Sequence, residues 1–277
     1  MISLQKEQYS KLLEPIKSIT NNNLFARAVA ERVVEGEIFV DNVENTKSFY
    51  LLHPYGMSLL FGDSKNEVFN LAFKKYVLNE NRSRKIIEWM QVFPADWDAV
   101  LQDLLRDNLV SPSSESTSSH DIEQNVRVNF KFNKEKFLRG KLANKKSDPA
   151  VEILRTDREA FEKMTGTVVP LNFWNDAEDF INKGVAFSLY YDGKLASTAF
   201  SAYLHDDKLE LGIETYDEFK GKGLAYKACS ALIEYCIENG FEPVWACKRD
   251  NVGSYQLAQK LGFENVKEIS YYRLGLS

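Results

Sequence analysis

The chain is poor in the residues that build metal centres and cross-links. It has three cysteines, at 229, 236 and 247, and three histidines, at 53, 120 and 205. No two cysteines have the Cys-x-x-Cys spacing of a zinc site, and the histidines lie far from them and from one another, so the expectation is no metal. Cys229 and Cys236, seven residues apart on a predicted helix, read as packing residues. Cys247 has no histidine placed beside it and reads as a structural thiol. Cysteines without evident partners suit a reducing compartment, which makes a cytoplasmic location the expectation. No apolar run approaches the ~18 residues of a membrane span, and the first residues lack the apolar core of a signal peptide. Basic charge is not in excess: 35 Lys and Arg against 40 Asp and Glu leave a net charge of −5, which argues against general nucleic-acid binding. At 277 residues, 44% hydrophobic and 27% charged, the expected protein is soluble and globular, with one or two domains.

What is present is concentrated near residue 220. Leu209, Leu211 and Ile213 alternate with Glu210, Gly212 and Glu214, the period-2 pattern of a strand over 208–216 with one face in a core. Leu224, Ala228, Leu232 and Cys236 then recur at helical spacing until Asn239 and Gly240, a stop signal. Between them lies Lys220-Gly221-Lys222-Gly223-Leu224-Ala225. A helix beginning there leaves its first backbone N–H groups without intrahelical partners and adds partial positive charge. Gly221 and Gly223 let an anion approach those amides without meeting a Cβ, and Lys220 and Lys222 add full charges, so a pyrophosphate is the expected guest. A Walker loop would need a hydroxyl where Leu224 stands, and the dinucleotide fingerprint would need glycine where Tyr226 stands.

The segment resembles the pyrophosphate loop Arg/Gln-x-x-Gly-x-Gly/Ala of the GNAT superfamily of acetyl-coenzyme A dependent acyltransferases, with Lys220 in the Arg/Gln place. A second segment carries the same resemblance: a short strand over 243–247, then Asn251 opening a helix that closes in Lys260-Leu261-Gly262-Phe263. Ala177–Lys183 is a predicted helix, 185–191, 194–204 and 208–216 a three-strand meander, and 266–274 a final strand. The resemblance implies a mixed α+β GNAT fold, a mostly antiparallel sheet flanked by helices, with the cofactor motif in the C-terminal lobe. It further implies acetyl-coenzyme A as co-substrate, held by Lys220 to Ala225, by the strand backbone at Ile213 and Thr215, and by Asn251 and Ser254. Asn251 is equally well suited to capping its own helix. The implied reaction is acetyl transfer to a primary amine of a small-molecule or peptide acceptor by direct attack in a ternary complex. Glu214 is the first candidate to take the amine proton and Glu210, on the same strand face, the reserve. The chain departs from the family seven residues after the asparagine, where many members carry a tyrosine that protonates the departing thiolate and this chain has Ala258. Tyr255, three residues earlier, is a candidate substitute acid, as are Ser254 and a water. The departure keeps open a non-catalytic acyl-coenzyme A binding sensor or interaction protein on the same scaffold. Phe173 and Trp174 are candidate pocket-lining residues.

The division expected is an N-terminal lobe over 1–125 and a C-terminal lobe over 126–277, in a monomer or homodimer. Strand candidates at 36–42, 48–52 and 58–63, a helix over 66–77 with Val68, Leu71, Ala72 and Tyr76 at helical spacing, a strand over 85–92 and a helix over 96–107 make the first lobe read as a degenerate GNAT-like copy. Residues 111–120 are serine-rich and polar, as in a flexible linker, and 135–147 is a basic stretch that suits a solvated face.

Overall fold

The computed structural model describes residues 1–112, 120–143 and 148–276. Most of the serine-rich stretch and residues 144–147 of the basic stretch lie outside them. Two compact units are present, one of residues 1–128, 248–250 and 268–277, the other of 129–247 and 251–267.

The first unit opens with β1 (Ile2–Ser3), α1 (Leu13–Lys17) and α2 (Leu24–Ala30), followed by β2 (Glu37–Val40), β3 (Ser48–Leu52) and β4 (Met57–Gly62). These four strands are antiparallel neighbours in the order named. α3 (Glu67–Val77) crosses over to β5 (Glu88–Phe93), which lies parallel to β4, and α4 (Asp96–Leu104) and β6 (Leu109–Val110) follow. α3 is where the spacing predicts a helix, with Asn66 capping Phe69 N, but its buried face is a different one. Phe69, Phe73 and Val77 are buried, whereas Val68 is 82% and Leu71 61% exposed. Two stripes at helical spacing compete on this helix, and the one with two phenyl rings has more apolar area to hide. Those rings pack with Tyr50, Leu60, Met90, Val92 and Trp97 into the core of this unit.

β7 (Ile122–Phe132) leads into the second unit, where α5 (Lys134–Ala143) forms on the basic stretch. Then come β8 (Val151–Arg155), α6 (Arg158–Lys163), α7 (Ala177–Lys183), β9 (Ala186–Tyr191), β10 (Lys194–His205) and β11 (Lys208–Thr215). Asp176 caps α7 through Asp179 N, and the Asp192-Gly193 turn has φ of 48° and 75°, as the local chemistry requires of a tight hairpin. α8 (Leu224–Asn239), β12 (Glu242–Val244), β13 (Ala246–Lys248), α9 (Val252–Lys260) and β14 (Phe263–Leu274) complete the chain. The sheet of this unit has the order β12-β11-β10-β9-β8, antiparallel except for the parallel β11–β12 edge. The single strand expected over 243–247 is two, broken at Trp245: β12 lies on β11 and β13 on β7. The final strand begins at Phe263, earlier than expected, and its far end pairs antiparallel with β5, Tyr271 opposite Gln91. No helix among the described residues is long and apolar enough to cross a membrane.

Candidate active site

The break at Trp245 makes the site. β11 is paired with β10 along its length, Ser197 opposite Thr215 through His205 opposite Lys208, the one irregularity falling on β10 between Ser201 and Tyr203. On its other edge β11 is paired only at Lys208, Leu209 and Glu210, with Glu242, Pro243 and Val244. Beyond Glu210 the β12 side ends, and the chain turns to β7, where Trp245 O accepts from Phe130 N at 3.1 Å. Tyr216 N donates to Ala196 O, so even-numbered amides of the strand end face β10 and those of Ile213 and Thr215 face the open edge. The unpaired stretch spans about 16 Å at ~3.3 Å per residue.

At its end the chain makes a 3-10 turn, Asp217–Phe219, and enters α8 through Gly221 and Gly223, with φ of 80° and 76°. A Cβ built on either glycine meets nothing within 4 Å, so the space before the loop is open. The first intrahelical bond is Lys227 N to Gly223 O, which leaves the amides of Leu224, Ala225 and Tyr226 ahead of the ladder. Leu224 is itself buried, anchoring the first turn. Lys220 pairs with Asp217 at 2.6 Å, and Lys222 lies 5.0 Å above the Tyr191 ring and 5.2 Å above that of Phe219. This set of amides, open space and two lysines fits a pyrophosphate.

The face of β11 that carries Glu210, Gly212 and Glu214 is opposite to the α8 face. Glu214 Oε2 accepts from Thr167 N at 3.0 Å and Val168 N at 2.8 Å, while Tyr216 Oη accepts from Thr165 N at 3.3 Å. The loop 165–168 is thereby buttoned onto the strand end, and a Cβ on Gly166 would come within 2.8 Å of the Glu214 carboxylate. Neither this loop nor its use of Glu214 was foreseeable from spacing, since the partners lie 46 and 47 residues apart. Over Gly212 lies the Phe200 ring, close enough that a Cβ would be 2.3 Å from it. Glu210 is 5% exposed and sits opposite Tyr203, at the point where β11 and β12 part. Phe173 and Trp174, the candidate lining residues, are buried packing residues: Phe173 meets Phe200 and Tyr203, and Trp174 Nε1 donates to Ser201 O at 2.8 Å. A groove of about 520 Å³ between α6 and Tyr190, Leu195, Tyr216 and Glu218 lies at the other end of this face. Its Asp157 caps Ala160 N and its Glu159 binds Lys163, so these two acids are already engaged.

The first turn of α9 is tied to the break at Trp245. Asn251 Oδ1 accepts from Ser254 N at 3.1 Å, the capping bond that asparagine favours, and Ser254 Oγ accepts from Trp245 Nε1 at 3.2 Å. The Tyr255 ring meets Phe130 edge-on at 5.4 Å. Ala258 is fully buried. Cys229, Cys236 and Cys247 are buried, and burial pushes the Cys236 thiol up to about 12 and raises that of Cys229, so neither is a thiolate at neutral pH. Among the described residues no group of three or more His, Cys, Asp or Glu could hold a metal ion.

Comparison with known proteins bears on the family and the fold. A family model described as GNAT acetyltransferase matches residues 14–272. The chain is 26% identical over 277 residues, 98% of each sequence, to the uncharacterized N-acetyltransferase YdfB of Bacillus subtilis. The crystal structure of a GCN5-related N-acetyltransferase-like protein from Streptococcus suis superposes with a TM-score of 0.69 at 17% identity, covering 97% of this chain and 99% of that one. A tandem GNAT protein from the clavulanic acid biosynthesis pathway superposes with a TM-score of 0.60 at 10% identity, covering 99% and 97%. These two likenesses concern the fold.

Proposed function

Because the chain belongs to the GNAT acetyltransferase family, we propose that it moves an acetyl group from acetyl-coenzyme A to a primary amine, by direct attack in a ternary complex. The observation that carries this reading is the unpaired edge of β11 leading into the open glycine turn. The pyrophosphate takes the amides of 221–225 with Lys220 and Lys222. The pantetheine arm continues the sheet along Ile213 and Thr215, in the place β12 vacates, with Asn251 and Ser254 on the opposite wall. About twelve bonds separate the arm's phosphate oxygen from its sulfur, roughly 14 Å at ~1.2 Å of reach per bond. That length runs along the open edge of β11 toward the apex, on the side where Glu210 stands.

The acceptor amine enters from the face away from α8 and must lose a proton as it attacks. Glu210, at the apex, takes that proton, while Glu214 holds the loop 165–168 against the strand and thereby shapes the acceptor side. Backbone N–H groups of the open edge meet the developing oxyanion, and being fixed beforehand they cost no reorganisation. Tyr255 is the general acid for the thiolate. The acceptor is a small-molecule or peptide amine, and the enzyme works in the cytoplasm as a monomer or homodimer. The N-terminal lobe, residues 1–125, is a degenerate second copy of the plan. The shared order of three antiparallel strands, helix, parallel strand and helix in both units supports this.

The buried Ala258 favours a second reading, a coenzyme A binder without turnover, since nothing at that place can donate a proton. Calorimetric titration of acetyl-coenzyme A, followed by thiol release on an amine panel with wild type and Glu210→Gln, decides between them. Binding with turnover that falls ~10²- to 10⁴-fold in the variant is expected. Binding without turnover on any amine selects the sensor, and no binding removes both.

A further inference from the structure

The open edge of β11 exists because β12 leaves it, and β12 leaves it at a tryptophan. We infer that Trp245 is the wedge that holds this edge open, a positioning residue for the acyl donor; the inference rests on the donor reading above. One more step of the parallel register would bring position 245 opposite Leu211. Partners in a parallel ladder share a face, and Leu211 lies on the face opposite to Gly212 and Glu214, the one covered by α8. There Leu224, Ala228 and Leu232 of α8 are buried at 0–2% exposure, and an indole has no room beneath them. The ladder therefore stops. Trp245, 3% exposed, packs its ring against Phe263 at 5.6 Å and gives its Nε1 proton to Ser254 Oγ, whose own amide is held by Asn251 Oδ1. The wedge is thus tied to the first turn of α9, the opposite wall of the cleft.

The first unit supplies the control. It has the same crossover of strand, helix and parallel strand, yet β4 and β5 pair without a break from Met57 opposite Trp89 to Phe61 opposite Phe93. On the helix-covered side of that ladder the residues are Met90 and Val92, which pack with Leu60 beneath α3, each smaller than an indole. Side chains of that size fit between sheet and helix, so the edge closes. That unit also lacks the basic glycine turn, having Gly62-Asp63-Ser64-Lys65-Asn66 between β4 and α3. One plan thus gives a closed edge with methionine and valine and an open one with tryptophan.

The test is amide hydrogen exchange on the unliganded full-length protein, with acetyl-coenzyme A titration alongside. In Trp245→Val, β12 should zip further along β11, so protection of the Ile213 and Thr215 amides should rise about tenfold or more while donor affinity falls about tenfold or more. Trp245→Phe, which keeps a ring at the break, should stay within about threefold of wild type on both. Gained protection is the decisive readout, because plain destabilisation only removes it. Trp245→Leu keeps more of the buried volume and should show the same gain at smaller size, so a valine variant that fails to fold does not end the test. Unchanged or reduced protection at those two amides in the leucine variant overturns the wedge. Protection that rises in a protein whose wild type binds no acetyl-coenzyme A would keep the wedge and remove the donor reading.

Discussion

Gly223 and Gly240 cap the two ends of α8 with nearly the same backbone, φ of 76° and 77°, and a Cβ at either meets nothing within 4 Å. Asparagine at each position is therefore a matched pair. An L-residue in the left-handed region costs about 1 kcal/mol or more, least for asparagine. Both variants should thus melt only a few degrees below wild type, at ~2–4 °C per kcal/mol for a chain of this size. Their effects on the donor should part. At 223 the new side chain occupies the space before the free amides of the first turn and forfeits at least one bond to a charged oxygen, worth roughly 1.5–3 kcal/mol. That predicts an acetyl-coenzyme A dissociation constant raised roughly 10- to 150-fold in Gly223→Asn and within about twofold in Gly240→Asn. Calorimetry at matched temperature, with melting curves on the same samples, reads both quantities. Equal affinities in the two variants would refute the anion site, because then Gly223 serves the helix alone, as Gly240 does.

Glu214→Gln should raise the acceptor KM by about 5- to 100-fold with kcat changed less than about threefold, because it weakens the two bonds that hold the loop 165–168. A kcat loss of about 10² at unchanged KM would instead make Glu214 the proton acceptor. His53 is 1% exposed and burial lowers its pKa to about 3, so the fold holds it neutral. Stability present above the ordinary value of 6.5 is lost as pH falls toward 3, by about 2 kcal/mol at pH 5, and His53→Asn should flatten that slope in urea unfolding. Glu88, buried with its carboxylate bound by the Tyr50 and Tyr76 hydroxyls, has its pKa raised chiefly by desolvation. Its contribution is greatest below the ordinary 4.5 and is lost as pH rises through the raised value, so Glu88→Gln should gain stability relative to wild type from pH 5 upward, and a loss there would count against this reading.

Much of the second unit was legible because short-range chemistry decides it. Asp176 as a cap, Asp192-Gly193 as a hairpin turn and glycine at both ends of α8 act within a few residues of themselves, and each element starts or stops where that chemistry says. α5 and β8 carry no such local signal. α5 formed on a stretch so rich in charge that Phe137 is its one fully buried side chain, and β8 is an edge strand with no fully buried residue to set an alternation. On α3 the period was clear and the face was not, because Val68 and Leu71 satisfy the same spacing as Phe69 and Phe73. Spacing alone cannot weigh rings against aliphatics. The pairing of β14 with β5, some 180 residues apart, has no local signature at all.

The site divides along the same line. The proposed pyrophosphate loop is a backbone device, and backbone devices are written in glycine spacing, so the turn and helix start at 220–225 could be read from the sequence. The carboxylates are different: Glu210 and Glu214 share a face by strand parity, but which of them meets the thioester depends on where the neighbouring strand stops. That stop is set by a clash in three dimensions, between the indole of Trp245 and the buried row of α8, and nothing in the run Pro243-Val244-Trp245-Ala246-Cys247 distinguishes a break from an unbroken apolar strand. The same fact explains why Asn251 and Ser254 face two duties. Their capping and tryptophan bonds use one oxygen each as acceptor, and the Asn251 amide nitrogen and the Ser254 hydroxyl proton are the donors that the proposed reading gives to the guest. A residue that holds the wall and contacts the guest should lose both when shortened. Asn251→Ala should therefore weaken donor binding more than Ser254→Ala does, since it removes the cap of α9 as well as a donor.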